Sequence, residues 1–415
     1  MLLAVLLALT LVVVLLGPFL IPATSSADRG QAADVAPAVS RFVTVPFAGT
    51  QGINLHYQVA GPTEIPADCH QGTPQTPEDE RLCRDLDAQP TFILLHGFTF
   101  NLFTWDPVRD FLAARGRVLA YDQIPYGLSA KLTAADWSGP NPYAKEAAIE
   151  QLFAFMDALG VERAILVGNS SGGTLALEAA LARPERVAGL ILVAPWVYAQ
   201  RPTLPAWVAE LPQLRRLSLL IGRKLGEGVL LDYSYADPGR VTDARRAQMT
   251  VHARVRDWDL AWGELLNRSL SSPVTVSARL AELTQPVLLV NGDRDKLVPV
   301  ADTRRVAEAL PDTALAAIPG CGHVPQEECP RAFEQAVADW LAAHPGLAAG
   351  TSSLNPAPVA SAEPPAAAAR LPAAAVGLPL PAPSLELAST GLLPSSLGPS
   401  PRTASLSPPA PHALP

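Results

Sequence analysis

The stretch AILVGNSSGG at residues 164–173 runs from a short apolar segment into a helical pattern that begins at Thr174. Where a strand turns sharply into a helix, only glycine fits at the flanks, and the residue at the tip rises above the carboxyl end of the sheet. Ser170 has a glycine two positions before it and another two positions after it, whereas Ser171 would need a glycine where Asn169 stands. The spacing therefore predicts Ser170 as a nucleophile, although an isolated motif of this kind is also compatible with an ordinary glycine-rich turn.

A second apolar run, FILL at residues 92–95, ends in His96-Gly97-Phe98. Acyl transfer requires preorganised donors about 3 Å from the developing oxyanion. The backbone N–H of Phe98, just past a flexible glycine, is one predicted donor, and the N–H of Ser171, next to the nucleophile, is the other. His96 and Gly97 are expected at the substrate, with His96 orienting the loop and not acting as the base. The alternative is that His96 only hydrogen-bonds a neighbouring loop.

Two further strand ends carry an acid and a histidine. PVLLVNGDRDKLVP at residues 286–299 follows its glycine turn with Asp293 and Asp295. Asp293 comes directly after the glycine and fits a turn-stabilising role, so Asp295 is predicted to be the acid that orients a histidine. IPGCGHVP at residues 318–325 presents His323 in a glycine-lined loop, which favours a role as general base over that of an exposed loop histidine.

These motifs, together with YDQIPYGLS at residues 121–129, resemble the α/β-hydrolase fold family over about residues 41–345. The chain order of Ser170, Asp295 and His323 is the order of that family's nucleophile, acid and base. The resemblance implies that the histidine takes the serine proton during attack on a carbonyl, that the acid holds the imidazole tautomer, and that water cleaves the acyl-enzyme. No metal or organic cofactor is needed for this chemistry. Haloalkane dehalogenases and epoxide hydrolases are excluded, because they attack with an aspartate.

Short apolar runs alternate with helical stretches along the whole core. The runs typical of buried strands are 91–97, 117–122, 164–168, 189–194, 286–291 and 314–318. Arg41–Tyr57 is predicted to form an antiparallel hairpin with a turn near residues 49–52, and residues 142–159 and 301–310 have helical spacing. The predicted class is α/β: an α/β-hydrolase fold with a mostly parallel sheet of about eight strands and helices on both faces. Ligands are then expected outside the carboxyl ends of the strands.

The connection between the fourth and the fifth of these runs is far longer than an ordinary loop. It is predicted to be a helical cap at about residues 196–283, and Trp196 at its start is expected to contact substrate. Apolar cap faces favour an apolar or partly apolar small-molecule substrate, because pockets are usually lined by such side chains. The cap tryptophans are equally compatible with only holding the cap on the core. The basic run at residues 215–224 is interpreted as a solvated helix face.

Composition fits one catalytic domain, residues 29–350, between two appendages. The chain has 415 residues, of which 49% are hydrophobic and 17% charged, which is enough for a large core. A net charge of −8 argues against nucleic-acid binding, which requires a basic face. The C-terminal residues 351–415 contain 15 prolines and no aromatic residue other than a histidine, so this tail is predicted to be disordered, with an unknown partner if it has one.

The N-terminal segment 1–28 bears on location. Residues 2–21 contain no charged side chain and approach the roughly 20 residues that cross a bilayer. They are interpreted as an uncleaved membrane anchor that holds the hydrolase domain on the extracytoplasmic side. A cleaved signal peptide, with a cleavage site near residues 25–27, is the alternative and would make the protein secreted.

Cysteine positions are compatible with an exported domain. Cys69 and Cys83 bracket a proline- and acid-rich insertion at residues 63–90, and Cys321 and Cys329 flank the predicted base. An even count with local pairing suits an oxidising compartment. For the second pair, reduced thiols in a cytoplasmic hydrolase are an equally open alternative.

Two classes of function are compatible with these features. The first is a serine hydrolase acting on an ester or a similar acyl bond, with hydrolysis of a carbon–carbon bond in a diketone or cofactor-free peroxidase chemistry as variants on the same residues. The second is a non-catalytic, membrane-anchored binding module that keeps the fold. The intact set of serine, acid and histidine favours the enzyme, because a module without catalysis has no chemical need for all three.

Overall fold

The computed structural model describes residues 10, 12–25, 29–61, 76–78, 81, 89–198 and 203–348. Part of the expected anchor, most of the insertion at residues 63–90 with Cys69 and Cys83, and the tail at residues 351–415 lie outside these residues. Within the described ranges, no helix combines the length and the apolar character needed to cross a membrane.

One sheet of eight strands organises the molecule, in the order β1-β2-β4-β3-β5-β6-β7-β8. The strands are β1 (Arg41–Val45), β2 (Ile53–Ala60), β3 (Thr91–Leu95), β4 (Arg117–Tyr121), β5 (Ala164–Asn169), β6 (Val187–Val193), β7 (Val287–Gly292) and β8 (Thr313–Ile318). Strand β2 pairs antiparallel with β1 and β4, and the other pairs are parallel. The predicted mostly parallel sheet of about eight strands, including its N-terminal hairpin, is confirmed.

Helices surround the sheet and form the long connection between β6 and β7. In chain order they are α1 (Ala32–Val35), α2 (Asp106–Ala113), α3 (Lys145–Ala158), α4 (Ser171–Ala182), α5 (Ala206–Ala209), α6 (Pro212–Gly226), α7 (Val229–Ser234), α8 (Asp243–Met249), α9 (Trp258–Ser269), α10 (Val300–Ala309), α11 (Pro325–Glu328), α12 (Pro330–Ala343) and α13 (Pro345–Ala348). Short 3₁₀ helices lie at Gly17–Leu20, Leu102–Trp105, Pro184–Arg186, Pro238–Arg240, Val251–Arg254 and Val276–Glu282.

The central strands are apolar throughout because both of their faces are covered. Every residue of β5, β6 and β7 is buried. Along β3, Ile93 and Leu95 pack with α3, α4 and α10, whereas Phe92 and Leu94 pack with α2 and α12. Alternate side chains of a strand point to opposite faces, so these helices form two layers with the sheet between them.

Residues between β6 and β7 form the cap as helices α5 to α9. Helices α6 and α9 approach closely because glycines lie where they meet. A Cβ added to Gly222 would lie 3.2 Å from the backbone nitrogen of Gly263, and one added to Gly226 would lie 2.0 Å from the ring of Trp258. Side chains at these two positions would push the helices apart.

Aromatic side chains join the cap to the core. Trp258, Trp262 and Tyr126 form a buried cluster, and Phe98 of the loop after β3 packs against it. His252 stacks on Trp262 with ring centroids 4.7 Å apart. Trp258 and Trp262 therefore hold the cap on the core. The sequence had left this role open as the alternative to substrate contact.

His252 makes this cluster sensitive to acid. Burial, reinforced by the charge of Lys131 and opposed by the hydrogen bond to the Gly226 carbonyl, lowers the pKa of His252 to about 3. An unfolded histidine has a pKa of about 6.5, so the stability that the neutral ring contributes is complete above that pH and is lost as the pH falls from there towards 3.

We expect the free energy of unfolding to fall by up to about 1.4 kcal/mol per pH unit across this window because of His252 alone. In His252→Phe, this part of the slope should disappear, although the loss of the bond to Gly226 lowers stability at neutral pH. Urea unfolding measured at pH 7, 6, 5 and 4 tests the expectation. Parallel pH curves for the wild type and the variant would contradict it.

Candidate active site

Ser170 lies at the tip of the turn between β5 and α4. Its backbone has φ 53° and ψ −117°, a conformation that side chains with a Cβ rarely adopt. The surrounding chain holds it there: the Ser170 N–H donates to the Val193 carbonyl at 2.9 Å, and its own carbonyl accepts from the N–H groups of Thr174 and Trp196, both at 3.1 Å. The strained turn is thus fixed by hydrogen bonds to α4 and to the start of the cap.

The glycines on either side of Ser170 are required by backbone contacts. A Cβ at Gly168 would lie 2.5 Å from the Gly172 carbonyl oxygen, and a Cβ at Gly172 would lie 2.2 Å from the Leu95 carbonyl oxygen. Because both obstacles are backbone atoms of buried elements, they cannot move aside as a flexible side chain would.

We expect Gly172→Ala to destabilise the protein by about 1–3 kcal/mol or more, because the added methyl group overlaps the end of β3. Gly346→Ala is the matched control, since a Cβ there has nothing within 4 Å. Urea unfolding followed by circular dichroism measures both. Equal midpoints for the two variants would show that the turn can relax and that glycine is not required there.

His323 follows β8 and contacts one of the two carboxylates expected near it. Its Nδ1 lies 2.8 Å from Oδ2 of Asp295, and both groups are buried. The other oxygen of Asp295 accepts from the N–H groups of Leu297 and Val298 at 2.7 and 2.9 Å. Asp293 instead accepts from the N–H of Gly320 at 2.7 Å in an exposed turn. The structure thus brings Asp295 and His323 together and gives Asp293 a turn contact.

Several groups hold the loop of His323 in position. The N–H of His323 donates to the Ser234 carbonyl of the cap at 2.7 Å. Its carbonyl accepts from Nδ2 of Asn169, directly before Ser170, at 3.1 Å. Cys321 and Cys329 form a disulfide across the loop, with Cα atoms 6.3 Å apart. The position of the histidine therefore depends on the elbow, the cap and the disulfide together.

A buried glutamate, Glu328, completes this support. Its Oε2 accepts from the N–H of Gly322 at 2.7 Å and from the N–H of Ala236 at 3.1 Å, and Oε1 accepts from the N–H of Asp237 at 3.1 Å. One carboxylate thus ties the histidine loop to the cap. Sequence reasoning missed both Glu328 and Asn169, and only the place of Asn169 beside the nucleophile could have drawn attention to it.

The residues predicted to supply the oxyanion donors, Phe98 and Ser171, line the same cavity as Ser170. Neither the N–H of Phe98 nor that of Ser171 has an acceptor among the described residues. Gly97 keeps the space next to them open, because a Cβ there would lie 3.2 Å from the Cβ of Ser170. Ser171 also begins α4, where the helix dipole favours negative charge. Backbone N–H groups without an acceptor, at one cavity with a serine hydroxyl, are the kind of donor that an oxyanion requires.

His96 does not reach the substrate cavity, contrary to the expectation that it contacts substrate. The ring is fully buried, with Nδ1 2.9 Å from the Gly97 carbonyl and Nε2 3.0 Å from the N–H of Gln123. The Gln123 bond requires an unprotonated Nε2, and burial lowers the pKa of His96 accordingly. His96 fastens the loop after β3 to the loop after β4, which is the orienting role predicted for it.

A cavity of about 460 Å³ lies between the carboxyl ends of the strands and the cap. Ser170, His323, Gly97 and Trp196 all line it, so the last two lie where substrate contacts were expected. Most of its wall is apolar, including Phe98, Phe100, Tyr126, Leu230, Leu265 and Val274.

One wall of this cavity carries an ion pair. Lys145 Nζ lies 3.0 Å from Oε1 of Glu178, and both residues line the cavity. Glu178 is eight residues after Ser170 on α4, which corresponds to about 12 Å along the helix. The wall of the cavity therefore includes a charged pair at about that distance from the serine along α4.

A second histidine–aspartate pair was missed by sequence reasoning. Nδ1 of His56 lies 2.6 Å from Oδ2 of Asp122, and both side chains are fully buried. Burial alone would raise the pKa of Asp122, but His56 and the N–H of Leu102 outweigh it and lower that pKa to about 2. The pair does not line the cavity and fixes the loop after β4. Among the described residues, no group of three or more His, Cys, Asp or Glu is arranged to hold a metal ion.

Comparison with known proteins adds three kinds of similarity. A family model described as alpha/beta hydrolase fold matches residues 90–330. A putative carbamate hydrolase, RutD, of Caulobacter sp. strain K31 is 29% identical over 258 residues, which is 60% of this chain and 90% of the relative. A 2-hydroxy-6-oxononadienedioate/2-hydroxy-6-oxononatrienedioate hydrolase of Cupriavidus pinatubonensis is 28% identical over 269 residues, covering 62% of this chain and 89% of the relative.

Among solved structures, a thermophilic esterase from Thermogutta terrifontis superposes with a TM-score of 0.54. It covers 73% of this chain and 98% of its own, at 20% sequence identity. At that identity the likeness concerns the fold alone.

Proposed function

The chain belongs to the α/β-hydrolase fold family, and we propose that it is a serine hydrolase that cleaves an ester or related acyl bond. The observation that carries this proposal is the combination of three groups at one cavity. Ser170 and His323 both line it, and His323 is hydrogen-bonded to Asp295. Serine, imidazole and carboxylate are the parts of the nucleophile–base–orienter arrangement used for acyl transfer.

In the proposed reaction, His323 acts through Nε2, because its Nδ1 is engaged with Asp295. Nε2 accepts the proton of the Ser170 hydroxyl as Oγ attacks the carbonyl carbon, and the electron pair of the carbonyl moves to its oxygen. Asp295 stabilises the imidazolium and keeps the proton on Nδ1. The N–H groups of Phe98 and Ser171 bind the oxyanion, which needs both donors in place before the reaction.

Collapse of the tetrahedral intermediate expels the leaving group, and the imidazolium returns the proton to it. An acyl group then remains on Ser170 Oγ. Water enters, gives a proton to Nε2 and attacks the acyl carbon, so the acid is released and the serine regains its proton. Every proton passes through His323, and the chain's own residues supply all steps.

The cavity supports a small, partly apolar substrate. Its apolar wall favours hydrocarbon next to the scissile bond, and its volume of about 460 Å³ limits the size. The charged pair of Lys145 and Glu178, about 12 Å along α4 from the nucleophile, disfavours hydrocarbon in that part of the wall. Chains that extend beyond this distance meet a polar wall that they cannot hydrogen-bond.

The test is covalent labelling of the purified full-length protein with a fluorophosphonate probe, located by peptide mass spectrometry. We expect one labelled peptide, with the probe on Ser170. Turnover is then measured on p-nitrophenyl esters from acetate to palmitate, with the highest kcat/KM expected at intermediate chain lengths. A folded protein that takes up no probe and cleaves none of these esters would overturn the proposal.

A second candidate, hydrolysis of a carbon–carbon bond, is favoured by one observation. The Cupriavidus relative is named for the hydrolysis of 2-hydroxy-6-oxononadienedioate, and it is 28% identical to this chain. The same serine and histidine could serve a ketone carbonyl. Kinetics on that compound and on p-nitrophenyl butyrate, measured side by side, separate the two, because the better substrate class shows the higher kcat/KM.

A further inference from the structure

Exposed apolar side chains are concentrated in two places on the molecule. Among the described residues, every exposed large hydrophobic side chain lies in residues 12–20 or 207–233, with the exception of Val39. In the cap, this apolar cap face consists of Trp207, Leu217, Leu220, Ile221, Val229 and Tyr233, and Trp207 is 72% exposed. Scattered apolar residues are normal on a surface, but a cluster confined to one side marks a site of interaction.

The two places lie together because the N-terminal segment is fastened to the cap. The 3₁₀ helix at Gly17–Leu20 contacts α6, and the side chain of Arg216 on α6 donates to the Ile21 carbonyl at 2.7 Å. Further along, Oγ of Ser25 donates to Asp259 at 3.0 Å and accepts from the N–H of Asp257 at 3.1 Å. Residues 12–25 therefore run along the same side of the molecule as the apolar cap face.

We propose that the apolar cap face and the exposed apolar side chains of residues 12–20 rest together on a phospholipid bilayer. The sequence from Leu2 to Leu16 contains a single polar residue, Thr10, so the apolar run continues into the residues that precede the segment fastened to the cap. A run of that composition needs a lipid environment or a protein groove of equal length. Trp207 and Tyr233 are the residue types that favour the interfacial region of a membrane.

Charged side chains on this side of the molecule contribute little to the proposed binding to a bilayer. Helix α6 carries four basic residues and no acidic one. Three of the four pair with acids of the cap: Arg215 with Glu210 and Glu264, Arg223 with Asp259, and Lys224 with Glu227. We therefore expect binding to neutral phosphatidylcholine vesicles and only a weak dependence on salt, because apolar burial supplies the free energy.

Helix α7 connects the apolar cap face to the cavity. Val229 and Tyr233 are exposed on it, whereas Leu230 and Ser234 of the same helix line the cavity. If the proposed esterase function holds, esters dissolved in the bilayer reach Ser170 past this helix. Membrane docking itself does not depend on catalysis, so the experiment below involves no substrate.

The experiment measures the quenching of tryptophan fluorescence when the full-length protein binds vesicles of phosphatidylcholine with brominated acyl chains. Bromine in the acyl region quenches only tryptophans that enter the membrane. We expect the quenched fraction to fall strongly in Trp207→Phe. Trp137→Phe is the matched control: Trp137 packs on Tyr143 and the core, and the next residue, Ser138, donates its N–H to Gly49 in the turn between β1 and β2, so the quenched fraction should stay at the wild-type level.

A second variant guards against an effect particular to one tryptophan. Leu217→Gln, Leu220→Gln and Ile221→Gln combined should lower the Trp207-dependent quenching at least twofold, because three exposed apolar contacts with lipid are lost. Val39→Gln, outside the cap, should leave it unchanged. The proposal would be overturned if the protein bound vesicles without quenching of Trp207. It would also be overturned if the protein did not bind vesicles and instead formed dimers that the triple substitution disrupts.

Discussion

Ser170→Ala is expected to lower kcat for ester hydrolysis by on the order of 10⁴-fold or more, with little change in stability. The hydroxyl is the group that forms the covalent acyl-enzyme in the proposed reaction, so its loss removes the nucleophilic route entirely. What remains is the slow attack of water, helped by the oxyanion donors and by substrate binding. Initial rates on p-nitrophenyl butyrate, with thermal unfolding measured in parallel, provide the test.

Ser171→Ala is the matched control for this prediction, because the two serines are neighbours. Ser171 contributes its backbone N–H in the proposed reaction, and alanine keeps that N–H. We expect kcat to remain within a few-fold of the wild type. If Ser171→Ala inactivates the enzyme and Ser170→Ala does not, the nucleophile has been assigned to the wrong serine, and the spacing of Gly168 and Gly172 is not what selects it.

Asp295→Asn is expected to lower kcat by about 10⁴-fold, as the equivalent change does in a serine protease. An amide at this position can donate to Nδ1 of His323, which then carries its proton on Nε2, the atom that has to accept the serine proton. The N–H groups of Leu297 and Val298 still have the side-chain oxygen to bond, so the loop should fold normally. Measurement of kcat and of the urea midpoint separates the two effects.

Asp293→Asn controls for the chemical change at a carboxylate two residues away. Asp293 accepts from the N–H of Gly320 and makes no contact with His323, so an amide oxygen can replace it. We expect nearly wild-type activity. Equal losses in both variants would mean that the turn as a whole, and not the contact between Asp295 and His323, limits the reaction.

The strands were predictable because burial on both faces requires a continuous run of apolar residues, which is visible in the sequence. Continuous apolar runs identified β3 to β8, with ends that differ from the observed ones by a few residues. The elbow was predictable for a steric reason that is also local, since the backbone of Gly172 blocks a Cβ at Gly168. The cap was predictable only as a long helical connection, and the roles of its tryptophans remained open.

Contacts between distant parts of the chain were not predictable, because no local sequence pattern indicates them. His56 and Asp122 are separated by 66 residues, and nothing in the sequence around either one indicates the pair. Glu328 supports the loop of His323 through backbone groups of the cap more than 90 residues away. His96 was expected at the substrate because it adjoins the predicted oxyanion loop, but the side chain turns into the core and bonds Gln123 instead.

The sequence by itself determined the sheet, the elbow and the order of the motifs, because each depends on neighbouring residues and on the periodicity of burial. Only the tertiary structure decided how the cap and the disulfide hold His323, and that residues 12–25 run along the cap. These outcomes depend on where loops from different parts of the chain converge, and that convergence is fixed by packing of the whole core and not by any local pattern.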